Sequence, residues 1–207
     1  MQDRSQTAYD RRNTVFFCDP ERKNGYLSPL YPASFDAEGE TFCCAMQYYV
    51  YRKACMFGDA TAADAVLTET DPIRMAELEK SVKGAVGTVW NAMRMQCMTD
   101  ALLLAFSQNE EIGRLLLSTG NALIIDCDPF DTVWGSGMLS VLPGADDPEK
   151  WKGENLLGFS LMTVRKKLQG AVFRSQCKVY FVITGDFDPA AVTETLKIAP
   201  YRFHTKD

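Results

Sequence analysis

One histidine, His204, is present in the 207 residues, and it stands near the end. The body of the chain therefore has no imidazole base, which excludes Ser-His-Asp and Cys-His nucleophilic arrangements and leaves carboxylates to carry any catalysis. The seven cysteines, Cys18, Cys43, Cys44, Cys55, Cys97, Cys127 and Cys177, lack the C-x-x-C pairing of a zinc site. With no histidine to join them, neither a metal nor another cofactor is expected. An odd count scattered through apolar runs reads instead as reduced, buried thiols. No GxxxxGK[ST] loop occurs, and Gly84 to Gly87 has neither the strand nor the lysine of a phosphate-cradling turn. Also missing is a run of about 18 to 20 apolar residues, and Met1 to Asn13 is polar, so the expected setting is cytoplasmic or nuclear, away from membranes. Positive charge is scarce too: 22 Lys and Arg against 27 Asp and Glu leave a net charge of −5, which argues against general nucleic-acid binding.

Hydrophobic residues (46%) and aromatics (11%) are abundant enough for one substantial core, and the length suits one domain. Thr14-Val-Phe-Phe-Cys18 has the β-branched and aromatic character of a first strand, following a flexible N-terminal arm of residues 1–13. Asp19 to Gly39, rich in Pro, Gly and Asp, reads as loop. Cys43 to Phe57 carries apolar residues at helical intervals and stops at Gly58. Asp71-Pro72 sets a capping carboxylate before a proline at the first helical position, which predicts a helix over Ile73 to Val82. The longest periodic segment is Val89 to Phe106, followed by a helix over Glu110 to Ser118 that ends at Gly120. Asn121 to Asp126 suits a buried strand, Val141 to Glu154 a loop, and Asn155 to Leu168 a further helix. Lys178 to Thr184 reads as a last strand and Asp188-Pro189 as the start of a short helix. Residues 171–207 are thus expected to form a strand-helix extension packed on a domain of residues 14–170. The expected fold is α+β, a mostly helical single domain with a small number of short strands.

Directly after the buried strand comes Asp126-Cys-Asp128-Pro-Phe-Asp131-Thr-Val-Trp134-Gly135-Ser-Gly137. Glycines let a ligand approach the backbone, an indole stacks on a planar base, and a carboxylate steadies a cation-like sugar. The same composition also fits an acidic surface turn with one packing tryptophan. Further motifs accompany it in a fixed order: Leu27-Ser28-Pro29, Phe42-Cys-Cys-Ala-Met46-Gln-Tyr48-Tyr49, Lys53-Ala54, Phe57-Gly-Asp59, Trp90-x-x-x-Arg94, Phe106-Ser-Gln-Asn109, Leu116-Leu-Ser-Thr-Gly120 and Asn155-Leu-Leu-Gly158 through Arg165. In this order and spacing, from Val15 to Leu168, the chain resembles a divergent member of the NADAR (YbiA-like) family.

That resemblance implies a YbiA-like fold and cofactor-free cleavage of an N-glycosidic bond in a ribose-bearing nucleotide, such as an ADP-ribose conjugate or a ribosylamino-pyrimidine phosphate. By the same resemblance, Asp131 and Trp134 are the catalytic candidates. Ser28, Tyr48, Lys53, Trp90, Arg94, Gly135, Gly137 and Asn155 are the ligand-binding ones. Tyr48 and Tyr49 point to opposite sides of their helix, so one at most faces a pocket. Four positions depart from the family pattern: Met46 stands where it has glutamate, Pro29 where it has asparagine, and Glu79-Lys80 where it has Gly-Arg. Lys80 still offers a phosphate a point charge. Met46 neither donates nor accepts a proton, which keeps a second expectation open: an inactive nucleotide-binding or protein-interaction module. Asp36 and Glu40, just upstream, are the carboxylates expected to substitute.

Overall fold

The computed structural model describes the backbone of residues 10–176 and the side chains of residues 13–170. Its elements run β1 (Asp10–Phe17), β2 (Phe35–Ala37), β3 (Glu40–Phe42), α1 (Ala45–Met56), α2 (Ala60–Leu67), α3 (Pro72–Ser81), α4 (Gly87–Gln108), α5 (Glu110–Ser118), β4 (Ala122–Asp126) and α6 (Leu156–Gln176). β1 and β4 form a parallel pair in which Thr14 to Phe17 face Leu123 to Asp126. β1 is polar at its start and apolar over Val15 to Phe17, whereas β4 is buried along its whole length, as a strand covered on both faces must be. The architecture is α+β and mostly helical, as its periodicities predict.

Five elements differ from the sequence reading. α2 was not expected, because its eight residues are largely alanine and too few to show a period. Asp59 starts it by accepting a hydrogen bond from the Ala62 N–H (3.2 Å), and the small side chains of Ala62 and Ala63 lie buried beside Tyr51 of α1. β2 and β3 form an antiparallel hairpin across the end of the segment read as loop. Glu38 and Gly39 both take positive φ (56° and 88°), the pair of left-handed residues a two-residue hairpin turn requires. β1 starts at Asp10, inside the stretch read as an arm, and α6 runs past Leu168 to Gln176. Residues 1–9 and 177–207 lie outside the described residues, and with them the expected last strand, the terminal helix, Cys177 and His204.

The core is the meeting of α1, α4, α5 and α6 with β4. Tyr49, Val50, Met98, Leu102, Leu116, Ile124, Leu161 and Val164 are fully or almost fully buried in one cluster. Polar side chains then fasten the elements to one another. Gln47 donates to the carbonyls of Val66, Leu67 and Glu69, holding the end of α2 against α1. Gln108 pairs with both the N–H and the carbonyl of Asp36, and Asn109 donates to Ser34, so the Phe106-to-Asn109 motif pins the hairpin to the end of α4. Arg165 reaches from α6 to Thr119 and the Ala122 carbonyl at the start of β4. No helix among the described residues is long and apolar enough to cross a membrane.

Candidate functional site

Two helices bring i, i+4 pairs face to face. Tyr49 and Lys53 lie on one side of α1, and Trp90 and Arg94 on one side of α4. Tyr49 is the centre: its ring lies 5.1 Å from Trp90 and meets Trp134 edge-on at 5.6 Å. Lys53 is buried, places its ammonium 5.1 Å over the Trp90 ring and bonds both the carboxylate (2.6 Å) and the backbone carbonyl (2.7 Å) of Glu79 in the last turn of α3. A cation there also meets the negative end of that helix. Burial first, then the charge of Glu79, pushes the Tyr49 phenol well above its ordinary pKa, while Arg94 pulls it back. Tyr49 is therefore neutral and acts as a wall of the site.

Arg94 reaches toward Glu154 at 3.7 Å, a loose pairing with a carboxylate that is more than half exposed. Its Nε is buried and without a hydrogen-bond partner among the described residues. A guanidinium nitrogen left in that condition is costly unless a ligand oxygen completes it.

The Asp131-to-Gly137 loop is built by hydrogen bonds to the residues before α6. Gly153 and Lys152 donate to the Ser136 carbonyl, Glu154 to Thr132, Asn155 to Gly135, and Leu157 to Trp134. Two strands of loop this close leave no room for side chains at Gly135 or Gly153, where an added Cβ would strike backbone atoms. Gly137 also has positive φ (66°). These glycines shape the loop. Within it, Asp131 Oδ1 accepts from the N–H groups of both Val133 and Trp134 at 2.8 Å, while Oδ2 has no protein partner among the described residues. The carboxylate is thus fixed by one oxygen and open at the other, beside a half-buried indole. Asn155, fully buried with a left-handed φ of 52°, accepts from the Asp126 N–H and donates to the Ile124 carbonyl, joining β4 to the start of α6.

Asp126, at the end of β4, opens the acidic segment singled out in the sequence but was not among the expected site residues. Burial, then the charges of Asp128 and Asp131, raise its pKa from 3.8 to about 7, against the pull of an Asp128 N–H bond. A carboxyl that holds its proton up to neutrality is the kind of group that serves as an acid in a reaction. Nothing in the strand pattern marks it, because an Asp closing an apolar run reads as a strand end. Cys18 lies next to it, but partial burial and the neighbouring Cys127 and Asp126 push its thiol up to about 11, which leaves it protonated and unsuited to nucleophilic attack.

The remaining sequence candidates fall elsewhere. Tyr48 packs edge-on against Phe35 and Phe42 and donates to Glu38, on the hairpin side of α1, so Tyr49 is the tyrosine of the cluster. Ser28 is buried and bonds the Leu30 N–H; the next residue, Pro29, accepts from the Met46 N–H, which sets this segment against the first turn of α1. Met46 precedes Tyr49 by one turn and Lys53 by two on the same helical face, and packs half-buried against the core. Trp90 is nearly buried, with Lys53, Tyr49 and Phe57 around its ring, so Trp134 offers the larger free surface. Asp36 is bonded to Thr41 within the hairpin, Glu40 is exposed there and Lys80 is exposed on α3. The carboxylate that does reach the cluster is Glu79.

The pattern described as the NADAR domain matches residues 16–169. The chain belongs to the NADAR family. It is 33% identical over 149 residues to the N-glycosidase R617 of Acanthamoeba polyphaga mimivirus, covering 69% of this chain and 87% of that one. With the protein irg-1 of Caenorhabditis elegans it shares 33% over 158 residues, 69% of this chain and 74% of the relative. N-glycosidase YbiA of Escherichia coli is 26% identical over 131 residues, 63% and 73% of the two chains. The solution structure of E. coli YbiA superposes with a TM-score of 0.64 at 21% identity, over 84% of this chain and 99% of that one, and so shares the fold. Within the NADAR domain the motifs fall into two groups: Gln47, Gln108, Asn109, Gly135, Gly153, Asn155, Gly158 and Arg165 hold the fold together, while Tyr49, Lys53, Trp90, Arg94, Asp131 and Trp134 line one region of it.

Proposed function

We propose that this NADAR protein is a hydrolase of N-glycosidic bonds in ribose-bearing nucleotides, an ADP-ribose conjugate or a ribosylamino-pyrimidine phosphate being the substrates of the right shape. The observation that carries this reading is the Asp131 carboxylate, oriented by two backbone N–H groups and open at Oδ2 beside Trp134. As the bond from ribose C1 to the base nitrogen breaks, positive charge builds on the sugar. A fixed carboxylate lowers that barrier without reorganising. Trp134 stacks on the planar group, and Arg94, held only loosely by Glu154, takes a phosphate oxygen. Asp126, its pKa raised to about 7 and so partly protonated near neutrality, is the group suited to protonate the departing nitrogen. The sugar leaves as its 1-hydroxyl form with water's oxygen, and the base leaves with the proton. The relatives named N-glycosidases support the reaction class.

The test is incubation with ADP-ribosylated guanine nucleotides, NAD and ribosylamino-pyrimidine phosphates, following released base by chromatography. Release expected from the wild-type protein and lost in Asp131→Asn supports the assignment; equal release by Asp131→Asn removes Asp131 from the chemistry. Met46 favours a second reading, a nucleotide-binding module without turnover, since an apolar side chain occupies the first turn of the site-facing side of α1. That reading predicts a thermal shift with ADP-ribose, no base release, and a gain of release in Met46→Glu.

A further inference from the structure

The geometry points to Glu79 as a second catalytic carboxylate of this site, the one that takes a proton from the attacking water; this rests on the hydrolase reading above. Three features of the structure carry it. Glu79 is the carboxylate in the Tyr49–Lys53–Trp90 cluster: its Oε1 holds the buried Lys53 ammonium at 2.6 Å, and its charge acts on the buried Tyr49 phenol. Oε2 has no protein partner among the described residues, and the side chain keeps 21% of its surface exposed, so one oxygen is anchored and one can meet water. Finally, its position is determined from two sides. Lys53 bonds the Glu79 backbone carbonyl as well as the carboxylate, which fixes the last turn of α3 on α1.

An anchored carboxylate with one open oxygen repeats the arrangement of Asp131 on another element. The two then divide the work. Asp131 steadies the sugar cation, and Glu79 Oε2 accepts a proton from water as the water oxygen bonds to C1; the C1–nitrogen bond breaks with its electron pair on the base, and the base nitrogen takes its proton from the acid. Water's oxygen and one hydrogen end on the sugar, and the second returns to solvent from Glu79.

The experiment uses the full chain. With a substrate that the wild-type protein cleaves, Glu79→Gln keeps an oxygen for Lys53 and is expected to lower kcat about 10²- to 10⁴-fold with KM nearly unchanged, the range for losing one general base. Glu79→Ala with Lys53→Met removes the unpaired ammonium and guards against loss of folding, which circular dichroism checks. In either variant, added azide is expected to restore base release and to yield a ribosyl azide, because the azide anion attacks C1 without needing a base. A residue that only positioned Lys53 would raise KM and give no azide product. Wild-type kcat in Glu79→Gln, or loss of kcat with no azide adduct, overturns the role of Glu79 and leaves the hydrolase reading standing. Absence of base release by the wild-type protein overturns both.

Discussion

At the scale of single residues, two aspartates separate by what their oxygens bond. Asp131 serves structure through Oδ1 and, in the proposed reaction, chemistry through Oδ2, and two substitutions tell these apart. Asn keeps an oxygen for the Val133 and Trp134 N–H groups, so Asp131→Asn is expected to fold with nearly unchanged melting temperature while losing turnover. Asp131→Ala abandons both donors and is expected to lose about 1–3 kcal/mol by chemical denaturation as well. Asp126 yields a pH prediction. Its folded pKa of about 7 lies above the ordinary 3.8, so the native state holds a proton that the unfolded chain has released, and stability falls as pH rises through that window. Below about pH 4 the contribution is complete, and above about pH 7 it is gone, a change of roughly 4 kcal/mol for a group this buried. Relative to Asp126→Asn, which carries no such proton, the wild-type protein should lose stability between pH 4 and pH 8 in a series of denaturant titrations; parallel profiles would remove the buried acid. Of these features, the Asp131-to-Trp134 motif was legible in the sequence, because it is local. The division of labour between oxygens was not, because it depends on which N–H groups the loop turns toward them.

Elements show the same contrast. α1, α3, α4, α5 and β4 were readable from period and capping residues: Asp71 accepts from the Ile73 N–H ahead of Pro72, as its position predicts. α2 and the β2–β3 hairpin were not, since a short alanine-rich helix owes its existence to the surface it packs on and a three-residue strand to its partner. The join between β4 and α6 is the element-scale device on which the site rests. A side chain at Gly158 would collide with the Ile124 carbonyl, and Asn155 bonds that carbonyl and the Asp126 N–H. Gly158→Ala must push α6 off β4, because the obstruction is backbone and cannot swing aside. A loss of several kcal/mol, on the order of the largest single-substitution effects, is expected in urea unfolding, with base release falling in step. Unchanged unfolding would mean that the close approach of strand and helix is not required.

For the whole molecule, charge and pattern bound the partners. A net charge of −5 argues against general attraction to nucleic acid, and the cations of the cluster, Lys53 and Arg94, are recessed, with side chains 8% and 20% exposed. The expected result is a thermal shift with ADP-ribose and none with duplex DNA at physiological salt, read by scanning fluorimetry; a larger shift with DNA would contradict the proposed nucleotide ligand. The amino-acid sequence by itself determined the fold class, the helical periods, the family and the motif residues, since each is carried by residue type and spacing along the chain. Only the tertiary structure decided that Tyr49 rather than Tyr48 packs with Trp90 and Trp134, that Gln47, Gln108 and Asn155 hold the fold, and that Glu79 and not Asp36 or Glu40 is the acid beside Lys53. Those are facts of distance between α1, α3, α4 and the Asp131 loop, and the distance between segments far apart in the chain is set by how their apolar faces pack.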